Sequence, residues 1–579
     1  MSGVGRRYRV AVNDDGASLW QYRQVPLSAE GFLRAAVDRM AGADLLCWGA
    51  GNTRFWYGSG VAEDLDTGQQ VFPTVQEWMA HTTLRSLRDA GQEPLALVCG
   101  RCHRHGMHLY ASLRMNDGHF SFPPPADAPE PGAPDFGVPH PDQLWNHQRG
   151  AQASPLTAEF WRRHPEYRIG RNWPGSVFSA DLLDYAHAEV RDRWLSIITD
   201  IADRFEVDGV ELDFMRNPFF FGPDRVAAGR PLMTAFVREV REVLDEAGGR
   251  RRRRLGLAAR CPTALAGCDA IGLDVETWVR DGLLDVLIPS PTRTNKFETD
   301  LRPLAAMSRG TRCQVLAGVD TVMPNQTWEQ VRALQAEDRP GTPPAADSDD
   351  DRLLATSRHR VEGKRGVLEG MPLNLWRALA ANAYLDGADG IYVFNLWDQV
   401  ARHGRHLDGA ILRDGRSPEA LARRDKLYAL DFEIAGVGVG HPHAHLAQPA
   451  SLPLVLAEGE PVELRLKVAD TLAEVPATDL DEVRLHLLAV NLTPLDRLRV
   501  LLNGDAIDRL RDAPTLRPGA PTGPNSAFVD LIYDLRRCLP RQGVNVFTVE
   551  LTYKNAQVQP AVYLRELELS IRYRTEEAA

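Results

Sequence analysis

The chain is poor in cysteine, with seven in 579 residues. So odd and scattered a set does not make a disulfide framework, and free thiols are expected. Cys99-Gly100-Arg101-Cys102 has redox or half-metal-site spacing, with His103, His105 and His108 nearby. No second pair follows at zinc-site distance, so a metal or disulfide there is the minor alternative. Long apolar runs are also missing, since none reaches the roughly 18 residues that span a bilayer. Residues 1–9 are short and basic, and the apolar run behind them is too brief for a signal-peptide core. The expected location is the cytoplasm, with no membrane partner. Basic charge is not in excess: 67 Lys and Arg stand against 78 Asp and Glu, a formal net charge of −11. Phosphate contacts need a basic surface, so no nucleic-acid partner is expected. Assembly into a homo-oligomer stays open.

Several signature motifs are absent as well. The first strand candidate ends Asn13-Asp14-Asp15-Gly16 with no G-x-G-x-x-G behind it. A dinucleotide cofactor, and the open doubly wound sheet that would bind one, therefore have no support. There is no G-x-S-x-G, and Cys261 has no evident histidine partner, so a serine or cysteine nucleophile is not expected. Histidines avoid the strand ends, which argues against a histidine-bound catalytic metal. No cofactor is expected.

What is present is a rhythm. Eight short apolar runs recur at 8–14, 43–48, 107–115, 208–214, 255–261, 284–289, 311–319 and 390–396. Most are uninterrupted rather than alternating, as in strands covered on both faces. Helical patterns separate most of them. The clearest covers 187–205, where Val190, Trp194, Ile197, Ile198, Ile201 and Phe205 recur at spacings of three and four. Strand and helix repeated eight times predict an α/β chain closed into a (β/α)₈ TIM barrel over residues 8–430.

Two segments break the rhythm. Residues 116–179 open Pro-rich and turn aromatic, with Trp145, Phe160, Trp161, Tyr167 and Trp173. An insertion that long should fold, and it is expected over the barrel mouth, with Trp145, Trp161, Tyr167 and Trp173 helping to wall a site. A satellite core of their own is the competing account of those rings. The second, 337–351, is rich in Asp, Pro and Ala and is expected to be mobile. Residues 431–450 read as a linker, and from about 451 to 575 the pattern alternates with period two between turns. That predicts an antiparallel β-sandwich.

The most telling stretch is Val207-Asp208-Gly209-Val210-Glu211-Leu212-Asp213-Phe214-Met215-Arg216. Alternation puts Glu211 and Asp213 on one side of a buried strand. Buried carboxylates are costly unless something uses them, although an Asp213–Arg216 pair holding a loop would also serve. Chemistry in such barrels sits at the C-terminal strand ends. These ends offer Asn13, Asp14 and Asp15, then Trp48, then Arg114, Asn116 and Asp117. Strands four and five add Glu211, Asp213, Arg216, Arg260 and Cys261. The remaining three add Ser290, Thr292 and Arg293, then Asp320, then Asn395, Trp397 and Asp398.

Carboxylates with aromatic platforms suit a sugar, since carboxylates grip hydroxyls and indoles take the apolar ring face. Glycosidic cleavage needs two carboxylates, one protonated and one charged. The expected pair is Asp213, as nucleophile or base, and Asp320, as general acid, with Glu211 and Asp398 in reserve. Arg216, Arg114 and Asn395 are expected to orient hydroxyls and keep Asp213 charged. Asn13, Asp14, Trp48, Asn116, Asp117, Trp161, Arg260, Arg293 and Trp397 complete the expected substrate contacts. The alternatives are a hydrolase with a carboxylate-bound metal at Asp14, Asp15 and Asp213, and a glycan-binding or structural protein without catalysis.

The segment from Leu183-Asp184-Tyr185-Ala186-His187 through Asp208-Gly209-Val210-Glu211-Leu212-Asp213 resembles the bacterial family-ten-like glycosyl hydrolase group, whose strand has the form D-G-(apolar)-x-(apolar)-D. Gly272-Leu273-Asp274-Val275-Glu276-Thr277-Trp278, leading to Ile288-Pro289, and Phe160-Trp161-Arg162-Arg163-His164-Pro165-Glu166-Tyr167 are similar to segments of the same group. The resemblance implies a (β/α)₈ barrel, often with an appended β-sandwich, acting on oligo- or polysaccharides, and it carries Asp213 over as the catalytic carboxylate. The chain departs from the group at Phe214-Met215-Arg216, where relatives continue with a second acidic residue and an aromatic. Arg499-Val500-Leu501-Leu502-Asn503-Gly504 and Gly543-Val544-Asn545-Val546-Phe547 resemble a galactose-binding-like domain, which implies a jelly-roll-like sandwich.

Overall fold

A computed structural model describes residues 6–16, 19, 25–51, 53–66, 75–118, 158–174, 179–291, 295–320, 373–395, 407–430, 451–510, 515–517 and 528–574. Eight parallel strands close into a barrel in sequence order. They are β1 (Val10–Asp14), β2 (Leu45–Gly51), β3 (His108–Arg114), β4 (Gly209–Asp213), β5 (Gly256–Pro262), β6 (Val286–Ser290), β7 (Gln314–Val319) and β8 (Gly390–Val393). Each matches an expected run, trimmed or shifted by a few residues. The expected (β/α)₈ class is observed.

Both strand faces are apolar for different reasons. Val10, Val12, Leu46, Trp48, Val210 and Leu212 point into the layer shared with the helices. Ala11, Leu45, Cys47, Tyr110, Ala258, Val286, Ile288, Leu316 and Tyr392 pack together inside the barrel. Glycine makes room there: a Cβ on Gly256 would lie 1.7 Å from the Tyr110 hydroxyl. The helix Ala188–Arg204 buries Val190, Trp194, Ile197, Ile198 and Ile201, the stripe its sequence spacing predicts.

Beyond the barrel lie two antiparallel sheets. Their strands are β9 (Lys426–Leu430), β10 (Leu454–Leu456), β11 (Pro461–Val468), β12 (Leu480–Val490) and β13 (Arg497–Leu502). Then come β14 (Asp505–Ala506), β15 (Thr515–Arg517), β16 (Phe528–Asp534), β17 (Gly543–Tyr553) and β18 (Val562–Tyr573). One sheet runs β10-β18-β12-β16-β15, with β9 also on β18, and the other runs β11-β17-β13-β14. One boundary is corrected. Lys426–Leu430 pairs with β18, so the C-terminal sheets recruit a strand from inside the stretch expected to be barrel.

All seven cysteines are free and six are buried. Cys99 and Cys102 lie on the helix Pro94–Arg104, and burial pushes the Cys99 thiol up to about 12, which makes it unreactive. Among the described residues no helix is long and apolar enough to cross a membrane.

Candidate active site

Period two decides which side chains reach the barrel axis. On β4 the inward residues are Gly209, Glu211 and Asp213. Their strand neighbours in register are Tyr110, Ser112 and Arg114 on β3, and Gly256, Ala258 and Arg260 on β5. Two carboxylates and two arginines thus meet at one end of the barrel because positions in register on three adjacent strands share a face.

Arg260 is the hub. Its Nη1 lies 3.3 Å from both Asp213 oxygens, and its Nε donates to the Ser290 hydroxyl at 3.0 Å. The guanidinium also lies 3.9 Å from the centre of the Phe394 ring, a cation–π contact. Arg260 is 3% exposed and Asp213 2%. Burial works against the Arg260 charge, but Asp213, Tyr392, Asp320 and Glu211 more than offset it and hold its proton above the ordinary arginine range. Gly318 makes the Ser290 contact possible, since a Cβ there would stand 2.0 Å from the serine oxygen. Asp213 also accepts from the Met215 amide at 2.8 Å, which turns the carboxylate back over its own strand end.

Glu211 sits one step deeper and is fully buried. Tyr392 on β8 donates its hydroxyl to Glu211 Oε1 at 2.7 Å. The other oxygen, Oε2, has no geometrically formed hydrogen bond among the described residues. Burial, then the charge of Asp213, pushes this carboxyl up to about 7, while Ser112, Tyr392 and Arg260 pull the other way. The Cys47 thiol lies beside it and stays protonated, raised by burial first. Asn13, inward on β1 and 1% exposed, likewise has an unpartnered side-chain oxygen.

A second layer ties the rim. Arg114 pairs with Asp15 and with Asp117, the latter at 2.9 Å. Burial opposes its charge, yet Asp15 and Asp117 hold its proton above the usual arginine range. Asn395, at φ 51°, donates to Asp15 at 3.0 Å and accepts from the Asp15 amide at 3.2 Å, tying β8 to β1. Asparagine is one of the few residues that tolerates that backbone. Asp320, just past β7, is buried, and Asn295 brackets its backbone.

Several expectations need correction. Trp48 falls out of phase with Cys47 and packs edge-on to Phe32 of the helix Ala29–Ala36, away from the mouth. Asp14 also faces outward, where it accepts from the Gly16 amide and shapes the turn. Asn116 spends its amide on the carbonyls of Leu183 and Phe219 and accepts from the Leu183 amide, which straps the insertion down. Trp161 joins the main core and donates to the Asp181 carbonyl, and Trp173 joins a small core with Ile169, Leu182 and Phe219. Tyr167 stacks on His164 at 4.7 Å between ring centres. The described rings of the insertion therefore pack against the protein, as a satellite core would. Arg216 lies just past β4, half-buried, and the guanidinium that meets Asp213 directly belongs to Arg260. Arg293, Trp397, Asp398 and Trp145 lie outside the described residues, as do 337–351 and 431–450.

Tyr392 and Asn295 were not anticipated. Tyr392 was legible in principle, since inward alternation on β8 includes it. Asn295 sits in a loop, where no periodicity applies. Among the described residues no group of three or more His, Cys, Asp or Glu is placed to hold a metal ion.

No family model matches the chain, and no curated protein matches it in sequence. Solved structures similar to it are glycoside hydrolases. Chitinase ChiW from Paenibacillus sp. str. FPU-7 aligns at 9% identity and TM-score 0.39 over 96% of this chain and 56% of that one. The chain thus spans little more than half of that enzyme's length. The PgaB (BpsB) glycoside hydrolase domain from Bordetella bronchiseptica aligns at 12% identity and TM-score 0.33, over 71% and 99% of the two chains. A family 18 N-acetylglucosaminidase from Paenibacillus barengoltzii aligns at 13% and 0.31, over 69% and 99%. Likeness this distant says nothing of the chemistry, which rests on the chain's own side chains.

Proposed function

We propose that the chain is a glycoside hydrolase that cleaves a glycosidic bond of an oligo- or polysaccharide at the C-terminal mouth of its barrel, as the family-ten-like resemblance implies. The observation that carries this reading is the inward pair Glu211 and Asp213. Burial and the neighbouring charge raise one carboxyl to about 7, and a buried guanidinium and a backbone amide meet the other. A carboxyl pushed towards its protonated form beneath a second one that meets a guanidinium leaves one negative charge at the strand end, which the nucleophile or base of glycosidic cleavage requires.

On this reading Asp213 is the nucleophile, or the base for a water, and faces the anomeric carbon. Asp320, from a strand across the barrel, gives its proton to the leaving oxygen. Glu211 is too deep to touch the sugar. By holding a proton beneath Asp213 it lets a single negative charge stand at the strand end, where an oxocarbenium-like transition state would develop positive charge. Arg260 fixes the direction of that charge. A cytoplasmic setting, which the free thiols permit, belongs to the same reading.

The test is a broad one. The full chain is incubated with chito-oligosaccharides, α-galactosides, α- and β-glucans and xylans, and products are followed by reducing ends and mass spectrometry. Hydrolysis of at least one class is expected. Binding of one class without turnover would assign the barrel to glycan recognition instead, and silence in both assays would overturn the reading.

A further inference from the structure

We propose that Asn295 and Lys467 are positioning residues for Asp320, and that the C-terminal sheets are through them part of the catalytic apparatus. The role given to Asp320 rests on the glycosidase reading, but its placement does not.

The path begins at the strand end. Asn295 Nδ2 donates to the Asp320 carbonyl at 2.7 Å, and the Asp320 amide donates back to Asn295 Oδ1 at 3.0 Å. Holding the peptide groups on both sides of one Cα fixes the direction in which its side chain leaves. Both residues are buried, Asn295 at 3% exposed and Asp320 at 6%. Asn295 opens the segment that runs to the helix Arg302–Ser308.

The far end of that segment is held from another part of the chain. Lys467, on β11, donates its ammonium to the Thr299 carbonyl at 2.8 Å and pairs with Asp386. Asp386 accepts from the Leu301 amide at 3.0 Å. Asn382, on the helix Leu373–Leu385, donates to the carbonyl of Lys467 at 2.9 Å, so Lys467 is gripped by both its backbone and its head. Hydrogen bonds tie the two ends of 295–301, and the chain between them carries the path from β11 to Asp320.

A buried Lys–Asp pair is a poor way to gain stability, because desolvation cancels most of the attraction and an apolar pair would hold as well. It does supply direction: the ammonium must reach one carbonyl and the carboxylate one amide, and together they set where 295–301 lies. The adjoining cavity, lined in part by Asn295, Thr299, Asn382, Asp386 and Lys467, holds about 50 Å³. That is room for a few waters and not for a sugar ring, so the seam is a joint and not a second sugar site.

Hydrogen exchange followed by mass spectrometry on the full chain tests this without a substrate. Lys467→Met and Asn295→Ala are each expected to speed exchange in the peptide carrying Asp320 by about tenfold, while the β4 peptide carrying Asp213 stays unchanged. Because both act on one path, the double variant should be no faster than the faster single. If Lys467→Met does not fold, Asn382→Ala loosens Lys467 at its carbonyl and should give a smaller shift at the same peptide. No change at Asp320, or acceleration of all eight strands alike, overturns the proposal. Once the glycan panel yields a substrate, kcat of Lys467→Met should fall about 10- to 100-fold with KM within about twofold. A wild-type chain silent on the panel removes the glycosidase reading and leaves the exchange result to decide the joint. A wild-type chain that turns over beside a Lys467→Met variant with undiminished kcat removes the positioning role alone.

Discussion

Two buried networks in this molecule use the same parts and arrange them differently. Where the barrel joins the C-terminal sheets, Asp470 accepts from Lys426 at 2.8 Å, from the Tyr573 hydroxyl at 2.7 Å and from the Tyr428 hydroxyl at 2.5 Å. The same ammonium donates to the carbonyls of Leu421 and Arg424. One carboxylate thus has one cation and two hydroxyls. At the barrel mouth Asp213 meets the guanidinium of Arg260, and the second carboxyl beside it, Glu211, has the Tyr392 hydroxyl and Ser112 but no cation in contact. The first arrangement is electrically closed and its donors are matched. In the second, burial and the charge of Asp213 push the Glu211 carboxyl up to about 7, towards its protonated form. A network whose charges are matched holds structure, whereas a carboxyl pushed up by burial and a neighbouring charge marks a candidate site for chemistry.

The largest expected effect breaks the mouth. Asp213→Asn keeps the shape and an acceptor for the Met215 amide but removes the charge that Arg260 meets. Turnover of whichever glycan the chain hydrolyses should fall by about 10³-fold or more with substrate affinity nearly unchanged, and the thermal midpoint should drop as the buried Arg260 loses its charged partner. Steady-state kinetics and calorimetry check it, and an undiminished rate would take the proposed mechanism down. The matching change at the joint is Asp470→Ala. It strands the Lys426 ammonium, which is 2% exposed, so a loss of about 3–5 kcal/mol is expected, with kcat per folded molecule retained. Denaturant titration reads the first quantity and an active-fraction assay the second. If the joint variant lost activity without losing stability, the distinction between the two networks would fail.

Much of the barrel was legible because its strands are short apolar runs covered on both faces, and the period of such runs survives without knowledge of their partners. The placement of Glu211 with Asp213 was legible for the same reason, since spacing of two is spacing on one face. Period two also excludes Trp48 and Asp14 from the mouth once Cys47 and Asn13 are taken as inward. The attraction of an indole and a carboxylate for a sugar obscured that. Trp161 and Asn116 were misread because a long insertion needs its own core and its own straps, and composition does not separate those from a binding wall. Lys426–Leu430 was assigned to the barrel because its partner, β18, lies more than 130 residues further on, and no local pattern announces so distant a pairing. The link from Lys467 to Asp320 was invisible for the same reason.

Glu211→Gln sharpens the comparison from the side of stability. A carboxyl raised from its ordinary 4.5 to about 7 binds a proton in the folded chain that the unfolded chain has released. Stability is therefore fully present below about pH 4.5 and is lost as pH rises towards 7, up to a ceiling of about 3 kcal/mol. Glutamine accepts from Tyr392 equally well and cannot ionise. The variant should match the wild type in acid and exceed it at pH 8, by about 2–4 °C in thermal midpoint. A variant less stable than the wild type at pH 8 would show that Glu211 is charged and satisfied in the folded chain, as a joint residue would be.

The smallest expected effect, and the most discriminating, comes from removing one hydroxyl from each network. Tyr392→Phe takes away the Tyr392 hydrogen bond to Glu211 Oε1. A carboxylate that loses a donor is harder to keep charged, so its proton is held more tightly, and the upper end of the pH range over which stability declines should rise by about one unit while its onset stays near about 4.5. If catalysis depends on that proton, the alkaline limb of the rate profile moves the same way. Tyr428→Phe removes the corresponding donor from Asp470, which keeps Lys426 and the Tyr573 hydroxyl. That change should lower stability by about 1 kcal/mol at every pH from 5 to 9 and leave the rate profile in place. Urea titrations of the two variants across that range separate them. Parallel curves for both would mean that the mouth carries no exchangeable proton, and the contrast between a closed joint and an open site would have to be given up.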